Sequence, residues 1–334
     1  MVTSGFSRSD GAGELRPAVP GDARVGLSPD GSGDPAPARL TVGIVSAGRV
    51  GSALGVALER AGHVVFGVAA ISDVSRHRAR TRLPEAQVLP VEEIAARSEL
   101  LVLAVPDSEL PGLVAGLAAS GAVRPGTLVA HTSGANGVAV LGPLSERGAR
   151  PLAIHPAMTF TGHDEDTARL ANACFGITAA DEIGYAIAQS LVIEMGGEPI
   201  RVPEENRMLY HAALAHGSNH LVTLIVDAVA ALRAALDGPG LLGQQVVDDQ
   251  PNGVAERMLE PLVSAALDNA LRRGLPALTG PVARGDAPAV RAHLAALEAA
   301  DPQLAAGYRA MSLRTAQLSG AQQEVLDTLL EEAQ

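Results

Sequence analysis

Residues Leu40–Gly62, LTVGIVSAGRVGSALGVALERAG, set a short apolar run before a small-residue turn and an amphipathic helical pattern after it. This order offers a dinucleotide a strand end, a closely approaching backbone and a helix N-terminus whose first N–H groups lack partners within the helix. The turn, Ser46-Ala47-Gly48-Arg49-Val50-Gly51, fits the fingerprint G-x-G-x-x-G except at its first position. Gly48 lets the backbone approach a pyrophosphate, and Gly51 lets the helix pack tightly on the strand. Ser46 stands where glycine makes the turn, so it either keeps a negative φ or accepts strain. Two readings are open: a dinucleotide site formed by Ser46, Ala47, Gly48, Arg49, Val50 and Gly51, or a helix-packing turn that binds nothing.

The chain has 334 residues and a formal charge of -12, which argues against a nucleic-acid partner, since neutralising phosphates requires a basic face. With no Trp and few Phe or Tyr, base-stacking platforms are also unexpected. Cys174 is the only cysteine, so an internal disulfide and a cysteine-based zinc site are both excluded, and it is expected to be a small buried hydrophobe. Residues 1–39 are rich in Gly, Pro, Ser and Asp without apolar periodicity, and read as a disordered tail. They lack the apolar core of a secretory signal, and their acidic residues do not suit a transit peptide, so a cytoplasmic location is expected. A long uncharged run, Met208 to Val226, approaches the length of a membrane span. It contains His211, His216, Ser218, Asn219, His220 and Thr223, which favours a buried helix and no membrane partner.

Continuous apolar runs at Val64–Val68, Leu100–Val105, Thr127–Ala130, Leu152–Ile154, Phe175–Thr178 and Glu198–Val202 read as strands buried on both faces, with helical segments at Glu109–Ala119 and Asp181–Met195 between them. The alternation predicts an α/β domain over 40–202, a doubly wound, Rossmann-like parallel sheet with ligands at the carboxyl ends of its strands. From Pro203 onward, alanine- and leucine-rich helical stretches replace strands. An all-helical substrate and dimerisation domain is predicted over 203–320 with a helical tail over 321–334, and residues 238–253 read as a loop. The apolar run from Met208 has more apolar faces than one helix pair covers, so a homodimer through the helical domain is expected.

Several further motifs occur in a fixed order: Ala104-Val105-Pro106-Asp107, His131-Thr132-Ser133-Gly134, His155-Pro156-Ala157-Met158-Thr159-Phe160, and Leu278-Thr279-Gly280-Pro281 with Arg284-Gly285-Asp286. With the fingerprint, they resemble a family of oxidoreductases that join a Rossmann-like NAD(P)-binding domain to a helical C-terminal domain of unknown function. More distantly, the layout is similar to pyrroline-5-carboxylate reductases, ketopantoate reductases and β-hydroxyacid dehydrogenases. The resemblance implies an NADP- or NAD-dependent reduction of a small, anionic carbonyl or imine substrate. A dinucleotide-binding regulator or sensor without turnover is the alternative.

The resemblance also implies roles for particular residues. Ser72 falls where the reductases carry a phosphate-binding hydroxyl, and with Arg76 it suits NADP, whereas Asp73 could serve NAD or cap a helix. Val105, Pro106 and Asp107 would pass near the cofactor's ribose and nicotinamide, though Pro106 can also simply stop the strand and Asp107 cap the next helix. His155 and Ser133 follow successive strands and should face one crevice. Carbonyl or imine reduction needs a proton, and histidine can supply one near neutral pH, so His155 is the candidate general acid and Ser133 a hydrogen-bond donor to the reacting group. His155 could equally be a strand cap. In the reductases, the position of His216-Gly217-Ser218-Asn219 carries a motif that contacts substrate, making His216, Ser218 and Asn219 candidates. His216 and His220 have metal-compatible spacing, but no Glu lies between them and no metal is expected. Thr279 and Arg284 are the remaining substrate candidates, Arg284 as a carboxylate or phosphate clamp.

Overall fold

The computed structural model describes residues 39–237 and 253–331. The tail assigned to 1–39 lies outside them up to residue 38, and the loop assigned to 238–253 lies outside them up to residue 252. Strands β1 (Thr41–Val45), β2 (Val64–Ala69), β3 (Gln87–Val88), β4 (Leu100–Leu103), β5 (Leu128–His131), β6 (Arg150–Pro156), β7 (Cys174–Ala179) and β8 (Glu198–Arg201) form one sheet in the order β3-β2-β1-β4-β5-β6-β7-β8. The helices that accompany it are α1 (Arg49–Arg60), α2 (Asp73–Arg82), α3 (Val91–Arg97), α4 (Leu110–Ser120), α5 (Gly142–Ser145), α6 (Glu165–Leu170) and α7 (Glu182–Glu194). The remaining helices are α8 (Arg207–Asp237), α9 (Val254–Arg273), α10 (Pro281–Arg284), α11 (Ala287–Ala300), α12 (Pro302–Ser319) and α13 (Gln323–Leu330).

The apolar runs are strands because both faces of the sheet are covered. In β4, Leu100 and Val102 join the cluster under α1 and α7, while Leu101 and Leu103 join the one under α3 and α4. All four are buried, as period-2 alternation between two covered faces requires. A third cluster, built on Val282, Ala287, Val290, Leu294, Ala316 and Val325, holds α10 to α13 together.

One feature departs from the expected parallel sheet. Strands β1 to β6 are parallel, but β7 runs antiparallel to β6, and β8 follows β7. The link from β6 to β7 carries only the short α6, which packs on α1 instead of forming a full crossover, so the chain re-enters the sheet in the opposite direction. Within that link, the buried Asp166 accepts from the N–H groups of Thr161 and Gly162 at 3.0 and 2.7 Å and from the Thr161 hydroxyl. Burial alone would raise the Asp166 pKa, but these donors outweigh it and lower it.

At the β1–α1 turn, Ser46 has φ of +86°, the only non-glycine residue with positive φ among the described residues. Its N–H and that of Ala47 both donate to the Ala69 carbonyl, at 3.2 and 3.1 Å. The sharp turn is therefore made with glycine-like geometry at a backbone cost on the order of 1 kcal/mol. Gly51 is required by packing, since a Cβ there would lie 2.1 Å from the Ser46 carbonyl oxygen.

Candidate active site

The carboxyl ends of β1, β4, β5 and β6 lie along one edge of the sheet, and the sequence candidates divide there into two groups. The first surrounds the fingerprint turn. Gly48, extended at φ −68° and ψ −172°, caps α1 without a side-chain hydrogen bond, and a Cβ on it would meet only the Ser46 Oγ, at 3.3 Å. Ser72 caps α2, its Oγ accepting from the Ser75 N–H at 3.1 Å. Asp73 is the first residue of α2 and pairs with Arg76 at 3.1 Å. Arg78, on α2, donates to the Ala47 carbonyl at 3.3 Å, and Arg49 donates to the Phe160 carbonyl at 3.4 Å. Arg78 thus reaches the fingerprint turn, while Ser72 and Arg76 stand at the start of α2, just after β2.

The second group lies at the ends of β4, β5 and β6. His155, half-buried, makes a 2.8 Å hydrogen bond through Nδ1 with the Tyr210 hydroxyl, and His211 stands edge-on to it with ring centroids 6.4 Å apart. Two glycines make this possible. A Cβ at Gly134 would lie 3.0 Å from His155 Nε2 and 2.7 Å from the His211 ring, and one at Gly176, directly across from His155 on β7, would lie 2.6 Å from the Tyr210 oxygen. Burial, then Arg207 and His211, push the His155 pKa down to about 4. The expectation that His155 titrates near neutral pH therefore fails, because the imidazole is desolvated beside a cation. At pH 7 it is neutral, a hydrogen-bond donor and acceptor and not an imidazolium. Burial likewise raises the Tyr210 pKa.

His131 has a structural task. It is fully buried, its Nε2 hydrogen-bonds the Gly137 carbonyl at 2.8 Å, and its Nδ1 accepts the Ser133 N–H at 3.2 Å. A carbonyl can only accept, so the proton sits on Nε2. Desolvation lowers the His131 pKa from the ordinary 6.5 to about 4. Between those values the unfolded chain binds a proton that the native state does not. The stability from neutral His131 is therefore complete above pH ~6.5 and is lost as pH falls toward 4, by about 3 kcal/mol at most. Urea midpoints should drop between pH 7 and pH 5 in the wild type and by about half as much in His131→Gln, where His155 still loses its share. Equal sensitivity in both proteins would contradict this assignment.

Among the described residues, the other candidates make no hydrogen bond with His155, whose partner is Tyr210. Ser133 is buried, and its Oγ accepts from both the backbone N–H and the side-chain amide of Asn136, at 3.0 and 2.9 Å, so it folds the 131–137 loop. His216 and Asn219 are exposed on α8, roughly 9 and 14 Å along the axis from Tyr210. Ser218 bonds back to the Leu214 carbonyl at 2.8 Å, and His216 pairs with His220 at 2.7 Å. Among the described residues no group of three or more metal-ligating side chains occurs. Arg284 is exposed at the end of α10, and Thr279 is exposed in the preceding turn. Val105 and Asp107 are half-buried and Pro106 exposed; α4 is capped by Glu109, not Asp107, which leaves the Asp107 carboxylate to act electrostatically on His131 and His155. Cys174 is exposed with its thiol 3.5 Å from Glu198, because it opens β7 at the surface, and burial and that carboxylate raise its pKa.

The Rossmann-like domain model matches residues 27–156, and the model of the domain of unknown function DUF2520 matches residues 173–315. The chain joins a Rossmann-like domain to a DUF2520 domain. This is the pairing that the ordered motifs resemble. The two matches divide the chain inside the β6–β7 link, so the antiparallel β7 and its neighbour β8 fall within the DUF2520 match while completing the Rossmann-like sheet. Among solved structures, a provisionally named NADP oxidoreductase from Bacteroides fragilis aligns with a TM-score of 0.67 at 19% identity, over 84% of this chain and 98% of that one. A Thermotoga maritima protein aligns at 0.59 and 19%, over 84% and 98% of the two chains. A reductive aminase from Aspergillus terreus, in complex with NADPH4, cyclohexanone and allyl amine, aligns at 0.58 and 15%, over 88% and 100%. These likenesses establish the fold. No curated protein matches the chain by sequence.

The sequence reading missed Arg207 and Tyr210, the residues that complete the second group. Their only signal was an arginine at the edge of a long uncharged run, with a tyrosine one helical turn later.

Proposed function

We propose that this Rossmann-like DUF2520 protein is an NAD(P)-dependent oxidoreductase that reduces a small anionic carbonyl or imine compound. The observation that carries the reading is the placement of the fingerprint turn and the His155–Tyr210 pair on the same edge of the sheet, three strands apart. That is roughly 14 Å at the usual strand spacing, leaving the ends of β4 and β5 between them for the reacting half of a dinucleotide. The cradle suits a dinucleotide: Gly48 leaves its approach open, and its neighbours Ser46 and Ala47 are pinned to Ala69. Ser46 to Gly51 would hold the pyrophosphate, while Ser72, Arg76 and Arg78 favour NADP, because Asp73 is already engaged by Arg76.

When bound, the nicotinamide supplies a hydride. The chain's part is to orient the acceptor and polarise it. His155, held by Tyr210, can donate one neutral hydrogen bond to a carbonyl oxygen or imine nitrogen, and Tyr210 can pass on the proton that follows. The reading is tested by NADPH oxidation against panels of 2-oxo acids and cyclic imines. Turnover of any member supports it, and tight NADPH binding with no turnover across the panels favours the sensor instead.

The same proposal includes a homodimer through α8. The helix is long and apolar enough to cross a membrane by length and composition, yet only 6% of its apolar window is buried. Met208, Leu209, Val222 and Val226 are each at least 60% exposed. The histidines and Asn219 on its surface fit a second copy better than lipid. Light scattering at micromolar concentration should give a dimer, and Val222→Glu should give a monomer; a wild-type monomer would contradict this.

A further inference from the structure

Arg207 is the largest fully buried side chain of the described residues, 1% exposed, and none of its three guanidinium nitrogens has a hydrogen-bond partner. Its one close aromatic contact is the Tyr210 ring, 5.7 Å from the guanidinium carbon. The carboxylate that acts on it electrostatically, Glu204, is hydrogen-bonded elsewhere: its two oxygens accept from the N–H groups of Val138 and Ala139 at 2.7 and 3.1 Å. Gly137 is kept side-chain-free by that same carboxylate, 2.0 Å from where a Cβ would stand. A buried cation left without an acceptor is costly and is usually paired or replaced, so its retention calls for a partner that the chain does not provide.

We propose that Arg207 is the seat for the carboxylate of a small monocarboxylate ligand, which rests on the oxidoreductase reading only for the ligand's further chemistry. The guanidinium is a planar fork that matches a carboxylate with two parallel hydrogen bonds. Charge balance favours a monoanion over a phosphate. The groups that interact electrostatically around Arg207 are the neutral imidazoles of His131 and His155, the Tyr210 hydroxyl, His211, and the carboxylates of Asp107 and Glu204, so the one fixed positive charge stands among two carboxylates that repel a phosphate dianion more strongly than a monocarboxylate. The wall beside it consists of the half-buried His155, Tyr210 and His211, which places an approaching ligand's remaining atoms against the His155–Tyr210 pair. Arg284, the clamp suggested by sequence, is an exposed side chain and lacks this enforced burial.

The test is a titration of the full chain with propionate, propionamide and inorganic phosphate, read from the histidine ring signals by NMR, with NADPH affinity measured on the same samples. Propionate should shift the His155 signal saturably and propionamide should not. Arg207→Lys should weaken propionate at least about tenfold, since a point charge replaces the fork. Arg207→Met should abolish the binding, leave NADPH affinity unchanged, and raise the thermal midpoint by a few degrees, because a buried unpaired charge is gone. A lowered midpoint with propionate binding retained in either variant, equal binding of propionamide, or saturation by phosphate but not propionate would overturn the proposal. Propionate binding by a protein that ignores NADPH would support the seat and count against the redox reading.

Discussion

Gly48→Val is expected to weaken NADPH binding by about a hundredfold or more, measured by fluorescence titration, because it places a branched side chain where the pyrophosphate must approach the backbone. The fold should survive. Gly48 is extended with negative φ, a conformation open to valine, and the nearest atom to its added Cβ is the Ser46 Oγ at 3.3 Å. Gly51→Val is the contrasting control, since its Cβ would be driven to 2.1 Å from the Ser46 carbonyl oxygen and the β1–α1 unit should fail to pack. A Gly48→Val protein that binds NADPH normally would remove the fingerprint turn from the account.

His155→Ala is expected to lower turnover by about two to four powers of ten while leaving NADPH affinity within about twofold, the pattern of a group that acts on the reacting atoms. Tyr210→Phe should cost less, because it removes the partner of Nδ1 and leaves the imidazole in place. The pH dependence carries a sign of its own. With the His155 pKa pushed down to about 4, the working form is neutral, so turnover should show no histidine limb near pH 6.5 and should fall only as the pH approaches 4. A limb near pH 6.5 in the wild type that vanishes in His155→Ala would mean that an imidazolium is the donor.

Much of the fold was legible because the sheet is covered on both faces. Runs such as Leu100–Leu103 have no polar side to hide and announce strands, and the shift to alanine-rich helices after Pro203 announces the change of architecture. The direction of β7 was not legible, since a strand buried on both faces has the same composition whether its neighbour runs parallel or antiparallel. The fingerprint was readable even with Ser46 in place of glycine, and the structure shows that the backbone keeps the glycine conformation with φ of +86°. At the second group, His155 was found from its position at the end of a strand. The setting of Ser133 was not legible, since its Oγ is held by Asn136, three residues on, and not by the motif that contains it. Asn219 shares a helix with Tyr210 but not a location, since helical rise separates them by roughly 14 Å. Arg207 could not be found from residue type at all. Its meaning lies in the missing partner, which only the assembled neighbourhood of His131, His155 and Tyr210 reveals.

The central claim is that the fingerprint turn and the His155–Tyr210 pair serve one bound dinucleotide. A crystal structure of the NADPH complex tests it most directly. The account predicts the pyrophosphate against Gly48, the adenosine phosphate near Ser72 and Arg76, and the nicotinamide across the ends of β4 and β5 with its C4 within about 5 Å of His155. NADPH bound elsewhere, or bound at Gly48 with its nicotinamide turned away from His155, would contradict it.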